Sequence, residues 1–298
     1  MFTEYIQTFN ALPEPLLFSL VFFVFLAIGS WLNVVIFRTV SQSEYDSCQY
    51  VVDEYGDCEE AARRLKELTR VDSKRSVCTH CNTQLKAYHN IPLISYICLL
   101  GKCCFCKKSI SPQYPLIEFL SAFLPTITLI YHFGGEITSE YLVLIPILLV
   151  SLVICAIDIR ETVIFDIHST LYVILSMLLM SILPTISLDV VFVEATMYFF
   201  CFFLFVYIFS YIRSLIVGAN QQVMGGGDYP LIFVLILWLS GLSIVDDGGL
   251  IIKSMMVCIG AFTCTAFVKR AIEGDWVREI PAAPSIIATT IYVLVIYL

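Results

Sequence analysis

Eight apolar runs constrain this chain more than any other feature. They are Pro15–Phe37, Tyr114–Tyr131, Tyr141–Ile157, Ile167–Leu183, Val190–Ile212, Tyr229–Ile244, Leu250–Val268 and Pro281–Leu298. A helix needs about 20 such residues to cross a bilayer. Open sheets are excluded there, because unpaired backbone groups find no water in lipid. Hydrophobic residues make up 59% of the 298 and charged ones 14%, with mean hydropathy +0.86. A soluble domain of this length has no core large enough for so much apolar surface. The expected fold is therefore an all-α polytopic membrane protein, with about eight transmembrane helices and one soluble insert.

Basic residues orient the runs, because cytoplasmic loops carry the Lys and Arg excess. The first basic residue is Arg38, and most of the others lie between it and Lys108. Arg160, Arg213 and the group Lys269, Arg270 and Arg278 fall in every second loop thereafter. The intervening loops, which include Asp246 and Asp247, have no Lys or Arg; Lys253 is the exception and can snorkel to an interface. Both termini are expected outside and the insert inside. Glu4 and Glu14 precede the first run, which is unlike a cleaved signal, so that run is expected to be a retained helix. The net charge of −8 says little beside this distribution, and nothing suggests nucleic-acid binding. There is no internal repeat or low-complexity tract. The expected divisions are a first transmembrane helix over 1–37, a cytoplasmic insert over 38–112 and a seven-helix core over 113–298.

Two acids stand where runs meet the inner face. Asp158 ends the third run, and Asp228 begins the sixth after Gly225, Gly226 and Gly227. Ionisable groups near hydrocarbon are costly, which marks them as candidate functional residues. Glycines let a backbone turn tightly and be approached closely. Two carboxylates facing each other in a partly dry site share a proton, the arrangement of an aspartyl protease. Taken alone, Asp228 also reads as a cap for the next helix. Asp166 is expected to N-cap the fourth run. Glu161 and Arg160 read as loop charges, and His168 as structural.

The insert carries Cys78-Thr79-His80-Cys81 and Cys103-Cys104-Phe105-Cys106. Two CxxC pairs about twenty residues apart match a four-cysteine zinc site, and a reducing compartment disfavours disulfides. The expected ligands are Cys78, Cys81, Cys103 and Cys106, with Cys104 and His80 as alternatives. Earlier in the insert, a short helix is expected over Glu59–Leu68, with Arg63, Arg64 and Lys66 on a solvated or lipid-facing side.

In combination these residues are familiar. The chain resembles the type IV prepilin peptidases, which are GxGD aspartyl intramembrane proteases. The resemblance rests on Gly29-Ser30-Trp31-Leu32-Asn33-Val34-Val35-Ile36-Phe37-Arg38, and on His89-Asn90-Ile91-Pro92-Leu93 between the CxxC pairs. It rests also on Tyr114-Pro115-Leu116-Ile117-Glu118, on Ile157-Asp158, and on Gly225-x-Gly227-Asp228. It departs at Pro230, where the family usually has lysine, and at Gln113, where it usually has arginine.

The resemblance implies an enzyme of the bacterial inner membrane with periplasmic termini. It would cleave leader peptides from prepilins and type II secretion pseudopilins after a glycine, with Asp158 and Asp228 as the catalytic pair. It would then N-methylate the new terminus with S-adenosylmethionine. For methyl transfer the matching residues are Gly101 and Lys102, with Glu118 a further candidate; the bland reading makes Gly101 a turn and Lys102 an interface anchor. Competing readings are a GxGD protease with other substrates, a transporter or channel, and a non-enzymatic zinc scaffold.

Overall fold

The computed structural model describes residues 2–55, 60, 63–65, 77–78, 80–81, 83–183, 188–217, 225–243 and 281–297. The described residues form helices α1 (Phe2–Asn10), α2 (Glu14–Tyr55), α3 (Ile94–Cys98), α4 (Gln113–Tyr131), α5 (Ser139–Glu161), α6 (Asp166–Ile182), α7 (Leu188–Val217), α8 (Asp228–Ser243) and α9 (Ala283–Tyr297), plus a 3-10 turn at Ala87–Asn90. Only isolated bridges occur in place of strands among them. Four helices, α2, α4, α5 and α7, are long and apolar enough to cross a membrane; α6, α8 and α9 are shorter apolar helices. Seven of the eight apolar runs thus coincide with helices. The run Leu250–Val268, with Lys253, Asp246 and Asp247, lies outside the described residues, as does most of the stretch Glu59–Leu68.

The chain forms two compact units. Within residues 7–130, α2 and α4 pack antiparallel. Ser121 Oγ donates to the Phe25 carbonyl at 3.0 Å, and Asn33 Nδ2 donates to the Tyr114 carbonyl at 3.0 Å, so numbers rise along one helix as they fall along the other. Gly29 sits at the crossing. A Cβ there would overlap Ser121 Oγ and come within 2.8 Å of Glu118 Cα. Small residues that let backbones approach are the usual basis of helix pairing in lipid.

The helix begun by the first run does not stop at Phe37. It continues to Tyr55, because the sequence has neither Pro nor Gly between Ser30 and Tyr55. Gln42 to Asp46 (2.8 Å) and Gln49 to Asp53 (2.9 Å) add i,i+4 hydrogen bonds along the polar part. Arg64 pairs with Glu44 at 2.6 Å.

In the second unit α5 packs on α6 and α9, α8 packs on α6, α7 and α9, and the shared interior holds Tyr141, Ile147, Tyr172, Leu179, Trp238 and Val293. Three buried hydroxyls are satisfied within their own helices: Ser151 donates to Ile147 O, Thr289 to Ser285 O and Thr290 to Ile286 O. α7 buries Val191, Ala195 and Val206 but exposes Phe200, Phe205 and Tyr207, as suits a helix at a lipid-facing edge.

Candidate functional site

The cysteine module is built from two matching knuckles. Each backbone folds back on itself: Cys78 N–H donates to Thr83 O at 3.0 Å, and Cys103 N–H donates to Lys108 O at 2.9 Å, the same five-residue reach. An isolated bridge accompanies each, Val77 with Gln84 and Lys102 with Ser109. Lys107 adopts a left-handed φ of 61° to close the second. The knuckles bring the sulfurs of Cys78, Cys81, Cys103 and Cys106 within 4.8 Å of one another.

Four thiolates about 2.3 Å from a tetrahedral ion stand roughly 3.8 Å apart. Cys78 Sγ and Cys106 Sγ are 3.9 Å apart, which suits that geometry and is too long for a disulfide. Burial pushes the Cys78 thiol up to about 11. The Thr83 hydroxyl and N–H hold Cys81 down at about 6, and the Cys106 and Phe105 amides lower Cys103. An ion binding here would displace the Cys78 proton. The four thiols can therefore hold a metal ion. Of the alternative ligands, Cys104 turns to His89 instead, with Sγ 3.9 Å from Nδ1, and His80 is exposed.

Gly101 has a left-handed φ of 67°, and a Cβ there would come within 3.0 Å of Tyr96 Oη. Lys102 is exposed. Glu118 is engaged by its neighbours: its Oε2 accepts the Leu93 N–H at 2.9 Å, and it also hydrogen-bonds Ser30.

Asp158 lies in the last turn of α5 and is buried. Its Oδ2 accepts the N–H of Ala283 at 2.9 Å. Ala283 is the first residue of α9, so this is one of the amides a helix leaves without an internal partner. Such amides carry the positive end of the helix dipole and favour an anion. The sequence marks that helix start with Pro281 and Pro284, but nothing local reveals an acceptor 125 residues away.

Asp228 opens α8 and is half-buried. Its N–H donates to Gly225 O at 3.2 Å, closing the glycine turn. Gly227 presses on the segment after α5: a Cβ there would stand 2.7 Å from Ile164 Cβ and 2.8 Å from Ile164 O. Gly226 has open space around it. The two contacts, Ala283 to Asp158 and Gly227 to Ile164, gather the C-terminal end of α5 and the N-terminal ends of α8 and α9. Asp158 and Asp228 lie at that same end.

Asp166 is not the N-cap of α6. That position is Phe165, and Asp166 is an exposed first-turn acid. It still complements the helix dipole.

Residues 23–133 match the family model described as the bacterial peptidase A24 N-terminal domain. The match contains all four clustered cysteines and ends before Asp158. Among curated proteins, the prepilin leader peptidase/N-methyltransferase of Aeromonas hydrophila is 42% identical over 115 residues. That stretch is 37% of each chain, so the similarity spans well under half of that relative's length. The protein of the same name from Stutzerimonas stutzeri is 37% identical over 130 residues, 41% of each chain. The one from Dichelobacter nodosus is 28% identical over 214 residues, 72% of each chain. No solved structure matches. The cysteine knuckles lie inside the matched domain, and each of these relatives is named prepilin leader peptidase/N-methyltransferase, so the chain is similar to that family, most strongly over its N-terminal part.

Proposed function

We propose that this protein cleaves the leader peptides of type IV prepilins and type II secretion pseudopilins at the cytoplasmic face of the bacterial inner membrane. Asp158 and Asp228 act as the catalytic pair. The observation that carries this reading is their placement: a buried carboxylate held by the first amide of α9, and a second carboxylate behind a glycine turn at the same end of the same helices. One carboxylate, ionised, takes a proton from water as it attacks the scissile carbonyl. The other, protonated, donates to the carbonyl oxygen or the leaving amine. The bare glycine turn leaves room for the extended backbone of a substrate whose cut falls after a glycine. The basic excess of the insert and of alternate loops supports a cytoplasmic insert and periplasmic termini.

The four thiols of Cys78, Cys81, Cys103 and Cys106 would hold a structural zinc ion, which stabilises an insert with little core of its own. Methyl transfer from S-adenosylmethionine to the new N-terminus is the second activity of the reading. Gly101 and Lys102 are its candidate residues. Glu118 is a weaker one, since its carboxylate already accepts the Leu93 amide.

Purified protein incubated with a prepilin tests the reading. Asp158→Asn and Asp228→Asn should each stop leader removal. Normal cleavage by both variants rejects the protease assignment.

A further inference from the structure

Residues 91–100, between the cysteine pairs, carry an apolar face that nothing in the described chain covers. Ile91, Ile94, Ile97 and Leu100 recur at three-residue intervals through and beside α3, and their exposure climbs from 43% through 57% and 68% to 84%. In a soluble loop such a ladder would be an aggregation hazard.

Its depth explains it. The Leu93 N–H is bound by Glu118, five residues into α4. At 1.5 Å per residue that is about 8 Å past the helix start. Glu118 also hydrogen-bonds Ser30 on α2, eight residues before the exposed Arg38. That is about 12 Å by the same rise. Counted along either helix, Glu118, and Leu93 bound to it, lies below the level at which charged residues begin. Backbone that is not helical survives at such depth only when its polar groups are satisfied within the protein. Leu93 is such a residue, with φ 58° and ψ −46°, and the Glu118 carboxylate supplies the acceptor that water would supply elsewhere. Directly after the ladder, Lys102, Lys107 and Lys108 are all exposed. Apolar residues followed by lysines are the composition of a segment seated at an anionic lipid interface.

We infer that residues 91–100 form a shallow re-entrant segment, with Ile91, Ile94, Ile97 and Leu100 in the bilayer beside α2 and α4 and the following lysines at lipid phosphates. The segment seats the cysteine module against the membrane. Glu118 is its tie. None of this depends on which bond the protein cleaves.

The test uses the full-length protein in nanodiscs of phosphatidylethanolamine and phosphatidylglycerol doped with a lipid bearing a diazirine in its acyl chain. Photolysis and peptide mapping should find adducts in residues 91–100 of the unmodified protein, at severalfold the yield in residues 41–55 of α2. Placing p-benzoylphenylalanine at Ile97 or at Leu100 should cross-link lipid, whereas the same residue at the exposed Tyr50 should not. Equal yields in 91–100 and 41–55 overturn the proposal. So do adducts at Ile97 and Leu100 with a second copy of the chain, or with an added prepilin, in place of lipid.

Discussion

The cysteine module and the aspartate end are assembled in opposite ways. Each cysteine pair is shaped by a five-residue backbone loop, so each half of the donor set is prepared by its own sequence neighbours. A metal ion held by all four would join the halves, and its binding, on the order of 10 kcal/mol for four thiolates, would serve as folding free energy. The aspartates have no such help. Asp158 and Asp228 are 70 residues apart, and Ala283 is another 55 beyond. The helix ends that carry them are gathered by helix packing, one amide hydrogen bond and one glycine contact. The first region should fail all at once when a ligand is lost. The second should fail by degrees as each contact is removed.

The largest expected effect falls on the carboxylates. Asp158→Asn or Asp228→Asn should lower prepilin cleavage by at least about 100-fold, with zinc content unchanged by elemental analysis. Asparagine still offers an oxygen to Ala283, so a parallel loss of folding would count against a chemical role.

Next comes the metal. Cys78→Ser with Cys103→Ser should take zinc from about one equivalent to near none and make the insert sensitive to limited proteolysis. Retained zinc would reject the ligand set.

Ala283→Pro removes the N–H that binds Asp158, at a helix position that tolerates proline, and adds ring atoms at a fully buried site. A hydrogen bond to a charged group contributes about 1.5–3 kcal/mol. Cleavage should therefore fall roughly 10- to 100-fold, by the same figure. Unchanged kinetics would make that contact incidental.

Gly227→Ala forces Ile164 or the turn to move, an overpacking cost of about 1–3 kcal/mol. Gly226→Ala meets open space. Cleavage should drop about tenfold in the first and stay near wild type in the second; equal effects would mean the turn is not held by that contact.

The smallest effect is Lys102→Ala, which should reduce labelling of processed pilin by a radioactive methyl donor severalfold while leaving cleavage intact. Equal loss of both activities would indicate general damage.

Much of this was readable in one dimension, and for a common reason. The apolar runs answer to bilayer thickness, and the CxxC pairs to the reach of a short loop; both are local. Gly225-Gly226-Gly227-Asp228 announced a tight turn bearing a carboxylate. Asp166 was misplaced by one position, because capping depends on backbone angles that residue identity only biases. The length of α2 was missed because a hydropathy boundary marks where lipid ends, not where a helix does.

What the sequence alone determined, then, is a helical membrane protein with a four-thiol insert and two acids at run ends. Only the tertiary structure decided that Ala283 would hold Asp158, that Gly227 would lie on Ile164 and that Glu118 would accept the amide of Leu93. Each of those is a contact between distant segments at a helix end or crossing. There an unpaired amide or a missing Cβ is complementary to a partner that no local pattern encodes.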